Sequence, residues 1–430
     1  GEGAAAGWVH LRRRKGGRGG VVVGVRPDVR RGRSGSMTRF EPVAEDRTVD
    51  DASTDPVVAS GGLALRVLDR TWAWIEGLSD LGFVACLCAF TVLRAGVSVE
   101  RTEVSLLAVE QFPEPIAEYR SNSVIGSAVG HYLGVHTEQA WILLHLGVIV
   151  VGIAIIARCL ASAFPTTSRV RMAAIWLSLS AVAPSVLKKL GSYDPWTVVA
   201  MALIVLPRRH RLVLAPLGGI VLGLSNAEQG LVGLACAAVL IVVLPAGADE
   251  RWSTRGRLVP LAWAAFGLVV SRAAVLVWWS HIGAEVPSRA GVFDQYLTDS
   301  LRGAGGAALA GVYTWFGVAW VLVGFAVLVV VGTQRMTFLR WLAAGGALIA
   351  VPAVATITTL DGTRVFAMVS LPALLVVIGW VDAQALGERS ERVLQRVATA
   401  ALLAGVVLPA LVTHTGGGHW FMFPFLESGL

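Results

Sequence analysis

Charge is scarce in this chain. Charged residues make up 15% of the sequence and apolar residues 55%, whereas a soluble domain keeps roughly a quarter of its residues charged. Too few polar groups exist to cover a water-facing surface, so lipid must solvate much of the molecule. Cysteine is scarce too. Cys86, Cys88, Cys159 and Cys236 all fall inside apolar runs, which points to neither disulfides nor a metal site. There is no glycine-rich nucleotide loop, no heptad repeat and no nucleophile elbow. The histidines are scattered, His145 inside an apolar run, and His414 and His419 are not spaced as a helical ligand pair. No metal site is expected.

What charge there is lies unevenly. Residues 1–36 hold nine basic groups against Glu2 and Asp28, which accounts for the whole net charge of +7. A basic balance confined to one terminal stretch gives no reason to expect nucleic acid as a partner. The stretch is rich in Gly and Arg, and the first methionine is Met37. It reads as upstream sequence outside the mature protein, the alternative being a basic tail that binds anionic lipid. Residues 1–60 together read as a disordered arm, the 37–60 part acidic and polar. Residues 61–76 place Trp72 and Trp74 beside Arg66 and Arg70, the pattern of an amphipathic helix lying in the membrane interface.

From there the pattern is a series of apolar runs: 81–97, 140–156, 172–187, 196–206, 212–224, 231–244, 258–279, 307–331, 338–357, 365–381 and 397–412. Short alternating strands are absent, so helices must satisfy the backbone in lipid. The expected fold class is all-α: a polytopic membrane helix bundle over 77–413, with about eleven transmembrane spans. Lys and Arg set the orientation. With the N-terminus inside, the inner loops carry fourteen basic residues and the outer loops seven, which favours N-inside and, for an odd span count, C-outside in an inner (plasma) membrane. The outer loops are then 98–139 and 280–306, residues 292–302 reading as a second interfacial helix, and 414–430 forms an outer C-terminal tail.

The polar residues point to one end of this bundle. The fourth run has eleven apolar residues, about 16 Å of helix against a hydrocarbon core of about 30 Å. The fifth and sixth, of thirteen and fourteen, are also short. To cross, these helices must take in Ser192-Tyr193-Asp194-Pro195 and Ser225-Asn226-Ala227-Glu228-Gln229. A carboxylate at mid-bilayer costs about 2.5–3.5 kcal/mol, so Asp194, Glu228 and Asn226 are expected to line a wet, outward-opening cavity. Asp194 also suits a helix cap before Pro195, and Lys188 and Lys189 could pair with it or meet a lipid phosphate. Arg364, in the turn Asp361-Gly-Thr-Arg364, offers a fork suited to phosphate. Arg272, deep in the seventh run, is a candidate of the same kind, with snorkelling as the plain alternative. In the first outer loop, Glu100, Glu103 and Glu110 share a helical face. Glu103 or Glu118 could act as a general base toward a sugar hydroxyl, the bland alternative being a solvated face.

An acidic first outer loop, then a multispan bundle whose short helices carry Tyr193-Asp194-Pro195 and Asn226-Ala-Glu228-Gln229 outside, resembles the integral-membrane glycosyltransferases of the GT-C superfamily over residues 75–412. The resemblance implies transfer of a sugar from a polyprenyl-phosphate donor to a glycan or lipid acceptor on the extracytoplasmic side. The partners it implies are a lipid-linked sugar donor, that acceptor and membrane lipids. The family's base is typically an aspartate of the first outer loop, where this chain offers only glutamates. A divalent cation held by Glu100 and Glu103 is the one cofactor the pattern leaves open. A polysaccharide polymerase or ligase, or a transporter or flippase without transferase chemistry, are the alternatives.

Overall fold

The computed structural model describes residues 56–429 apart from 100–101, 117–122, 208, 246–253, 285–307, 334–335, 358–361, 385–387, 415–416 and 423–425. Glu100, Glu118, Asp361 and the expected interfacial helix at 292–302 therefore lie outside the described residues, as does most of the 1–60 arm.

The first elements are α1 (Pro56–Gly77), α2 (Asp80–Ala95), α3 (Thr102–Gln111), α4 (Val124–Tyr132), α5 (Glu138–Ala163), α6 (Thr167–Leu179) and α7 (Val182–Leu187). Next come α8 (Asp194–Val205), α9 (Arg211–Ser225), α10 (Ala227–Val243), α11 (Thr254–His281) and α12 (Ala308–Phe316). A 3₁₀ turn (Gly317–Ala319) leads to α13 (Trp320–Thr333), followed by α14 (Phe338–Gly345), a π-helical turn (Gly346–Ala350) and α15 (Val351–Ile357). Last are α16 (Gly362–Ala383), α17 (Glu388–Val407) and the strands β1 (Ala410–His414), β2 (Gly417–Met422) and β3 (Leu426–Gly429). Helix starts follow local chemistry. Ser79, Thr137, Thr166 and Thr337 each accept a hydrogen bond from an otherwise orphaned backbone N–H.

The chain is a helical membrane protein. Five stretches are long and apolar enough to cross a membrane: Glu138–Ala163, Gly256–His281, Gly311–Gly332, Phe338–Ile357 and Gly362–Ala383. Apolar side chains such as Leu143, Val150, Val151, Phe266 and Leu328 point outward without cover, the arrangement lipid solvates and water does not. The short helices are also as expected, with α8, α9 and α10 at 12, 15 and 17 residues.

Three expected spans are broken or shortened. The run 172–187 divides at Ser180 into α6 and α7, with Pro184 in the first turn of α7, where its missing N–H costs nothing. The run 307–331 is interrupted at Gly317, whose φ of 57° lies in the left-handed region. The run 397–412 ends as helix at Val407, because Pro409 cannot continue it. Ala410 then opens a three-stranded antiparallel sheet, β1-β2-β3, where a span end and an outer C-terminal tail over 414–430 were expected.

Helix α16 is the axis of the bundle. All but a few of its residues are buried, against neighbours that include α8, α10, α12 and α15. Phe366 stacks on Trp315 at 4.7 Å with an interplanar angle of 3°, and Trp380 Nε1 donates to the Pro245 carbonyl at 2.8 Å. The closest helix pair is α9 with α11. Gly219 lies against the Ala264 backbone, Gly223 against Leu268 and Ser271, and Gly267 against Pro216. Small residues one helical turn apart let two backbones approach, and van der Waals packing then holds them where lipid supplies no hydrophobic drive.

Arginines tie α1 to the rest. Arg171 donates to the carbonyls of Ile75 and Leu78 and pairs with Asp80 at 3.1 Å, pinning the α1–α2 corner to α6. Arg396 of α17 forms a two-pronged pair with Asp69 of α1, at 2.7 and 2.8 Å. The guanidinium holds the Asp69 carboxyl below the usual carboxylate range.

Candidate functional site

The turn between α7 and α8 organises one end of the bundle. Ser98, just past α2, donates its N–H to the Leu187 carbonyl and accepts from Leu190 N–H, both at 3.1 Å. Its hydroxyl donates to the Lys188 carbonyl at 2.7 Å. Gly191 has φ +98°, and a Cβ there would lie 2.9 Å from Trp141 Nε1, so glycine is required on both counts. The Trp141 indole N–H donates to the Gly191 carbonyl at 3.2 Å, fastening α5 to the turn. On the other side of the same indole, Gly126 and Gly130 bring α4 into contact with its ring.

Helix α8 starts at Asp194, with Tyr193 in the cap position. Asp194 is thus not the cap expected from sequence; it sits in the first turn, where the helix dipole favours a carboxylate. It is fully buried and faces Arg364, from the first turn of α16, at 3.7 Å. The Arg364 guanidinium also lies over the Tyr193 ring, 5.4 Å from its centroid, a cation–π arrangement.

Above this pair is a cavity of about 190 Å³. Its walls are Val104, Ser105 and Ala108 of α3; Ser123, Gly126 and Ser127 at the start of α4; Trp141 and His145 of α5; Lys189, Gly191, Ser192 and Tyr193 of the turn; and Arg364. The lining is rich in hydroxyls and carries two cations, with no carboxylate among the described residues. Ser123 Oγ is buried there with no hydrogen-bond partner among the described residues. A buried hydroxyl left this way costs about 1–3 kcal/mol, which a polar ligand would recover.

A second, larger cavity of about 520 Å³ lies between α2, α5, α6, α7 and α8. It is a groove of apolar side chains, among them Val84, Leu87, Val148, Ile153, Leu160 and Val199. It extends from Asp80 and Arg171 to Leu187 and Pro195. The α2 residues that line it, Asp80 to Val92, alone account for about 18 Å of length.

The two cavities share no lining residue, but both take wall residues from the α7–α8 turn and its flanks. Leu187 lines the groove and Lys189 the polar cavity; Tyr193 lines the polar cavity and Pro195 the groove.

The expected site residues are only partly brought together. Lys189 and Arg364 share the cavity and Asp194 supports it. Lys188 is on the same turn, its ammonium beside Gly96. Glu103 is exposed on α3 and is not in the cavity wall. Arg272 and Glu228 form a separate pair at 3.8 Å, with Arg272 over Trp279. Neither is in the wall of the polar cavity, which Glu228 was expected to line and where Arg272 was a candidate phosphate contact. Asn226 joins α9 to α10 and donates to Gln229 at 2.6 Å. No cluster of three potential metal ligands exists among the described residues.

Two residues gain importance that sequence reasoning did not give them. Arg94 of α2 is buried and hydrogen-bonded to Tyr313, whose hydroxyl donates to the Pro409 carbonyl at 2.7 Å. An arginine inside the run 81–97 was the available signal. His145 is buried, with Nδ1 3.0 Å from the Trp141 carbonyl and its ring 4.2 Å from that indole. A single histidine in an apolar run carries no signal of its own; only the fold shows that it faces a cavity.

Comparison with family models, curated proteins and solved structures returns no match. The functional reading therefore stands on the geometry.

Proposed function

We propose that this protein is a membrane glycosyltransferase that takes a sugar from a polyprenyl-phosphate donor at the extracytoplasmic end of its bundle. One observation carries the reading: an apolar groove and a small cationic, hydroxyl-lined cavity take wall residues from the same α7–α8 turn. That is the negative image of an amphiphile with a long hydrocarbon tail and an anionic, sugar-bearing head. The tail follows α2 and α5. The phosphate meets Arg364 and Lys189, and serine hydroxyls receive the sugar. Fixed cations beside a departing phosphate supply the electrostatic stabilisation such a transfer needs, and Asp194 holds Arg364 in place. The basic loops favour an eleven-span, N-inside arrangement that puts this cavity outside. Glu103 and Glu118 are two of the carboxylates of the first outer segment.

Transport of the same lipid without chemistry would use the same groove, which makes a flippase the second reading. Purified protein supplied with a polyprenyl-phosphate-linked radiolabelled sugar and a glycan acceptor separates the two. Labelled acceptor is the expected result. Tight donor binding with no transfer to any acceptor would leave the flippase reading in place and remove the transferase.

A further inference from the structure

We propose that His145 is the proton acceptor of this site, a role that rests on the transferase reading above. The tautomer follows from one contact. A carbonyl oxygen only accepts, so the 3.0 Å approach of Nδ1 to the Trp141 carbonyl puts the hydrogen on Nδ1. In the neutral ring the lone pair is then on Nε2. That atom faces Gly126 in the cavity wall, where a Cβ would come within 4.0 Å of it. Glycine leaves the approach to Nε2 open.

The ring is held for the task. It packs on Trp141, whose own N–H is anchored to the Gly191 carbonyl. A base fixed by a backbone acceptor on its far nitrogen is the arrangement general-base histidines need. Among the described residues, no carboxylate lines the cavity to compete as the base. The ionisable groups that line it beside His145 are Lys189 and Tyr193 from the turn and Arg364 from α16, while α3 and α4 contribute hydroxyls and apolar groups. Glu103 is turned to solvent.

The step balances as follows. The acceptor hydroxyl oxygen forms a bond to the anomeric carbon of the donor sugar as the bond from that carbon to the phosphate oxygen breaks. The phosphate leaves with the bonding electrons and a second negative charge, opposite Arg364 and Lys189. The hydroxyl proton passes to His145 Nε2, and the imidazolium then releases it to water or to the freed phosphate.

The test uses the full-length protein and two conservative variants, His145→Asn and His145→Gln. Asparagine keeps a donor near the Nδ1 position and removes the base; binding of polyprenyl phosphate by each variant reports that the fold survives. The expected result is kcat lowered about 100- to 10,000-fold, with affinity for polyprenyl phosphate within about threefold of the wild type. The acidic limb of the pH–rate profile should disappear in both variants. Variants that bind normally and turn over within about tenfold of the wild type, with that limb intact, overturn the role of His145 and leave the transferase reading standing. A wild type that transfers no sugar overturns both.

Discussion

Arg364 and Asp194 meet 3.7 Å apart where the first turns of α16 and α8 converge. The carboxylate sits where its helix dipole favours it; the guanidinium sits where its own opposes it. Arg364 is therefore held at a helix N-terminus by its partner and by the Tyr193 ring. The result is a guanidinium fixed in position at the wall of the polar cavity.

Removing both partners should cost less than the two single losses added together. Asp194→Ala leaves a largely buried guanidinium without its carboxylate, a loss of about 3–5 kcal/mol. The double variant Asp194→Ala/Arg364→Ala should be less destabilised than the sum of the single changes. Thermal unfolding in detergent measures all three; strict additivity would show that the two side chains do not interact.

Head and tail recognition should separate. Lys189→Ala removes a charged hydrogen bond worth about 1.5–3 kcal/mol, so affinity for polyprenyl phosphate should fall roughly ten- to hundredfold. Affinity for the uncharged polyprenol should not change. Val84→Trp, which fills the groove, should weaken binding of long-chain polyprenyl phosphate and spare a short-chain analogue. Equal losses for both chain lengths would count against the groove as the tail site.

Glycine positions should divide sharply. A side chain at Gly223 would come 2.5 Å from the Leu268 carbonyl and closer still to Ser271, so Gly223→Val should destabilise by at least the roughly 1–3 kcal/mol typical of overpacking. Gly324 has open space where a Cβ would go, and Gly324→Ala should be neutral or stabilising by up to about 1 kcal/mol. Monodispersity after extraction and the unfolding midpoint report both.

Docking of α1 onto α17 should depend on pH and salt. Arg396 lowers the Asp69 pKa in the folded protein, so the pair stabilises the docked helix fully above the ordinary value of 3.8. That contribution is lost as pH falls through the depressed folded value. The pair is exposed, so salt should weaken it as well. Spin labels beside Asp69 and Arg396 should show a broader distance distribution at low pH in the wild type, and at neutral pH in Asp69→Asn, while buried Trp72 and Ile75 keep α1 on the bundle. A distance unchanged by acid would remove the Asp69–Arg396 pair as the tie.

The helices were legible because hydropathy marks segments that avoid water, whether lipid covers them or, as for α16, protein does. Asp194 and Asn226 do fall at the ends of the short helices α8 and α9, but neither lines the polar cavity they were expected to line. Breaks were harder to read. Pro184 and Pro409 sit inside apolar runs, and the average over a run conceals a single residue that cannot continue a helix. Pairing was harder still. Arg272 and Arg364 look alike as isolated arginines near span ends. One meets Glu228 away from the polar cavity and the other lines it, and sequence spacing holds no information about which carboxylate each will find. His145 and Ser123 stayed invisible because their significance lies in facing a shared void.

Enclosure of α16 on nearly every side has a consequence for the order of events at its tip. A helix hemmed in by its neighbours cannot swing to meet an incoming molecule, so Arg364 is stationary and the substrate must do the travelling. Under the proposed transfer, the cation need not rearrange as charge gathers on the leaving oxygen, because the energy of orienting it is spent when the chain folds.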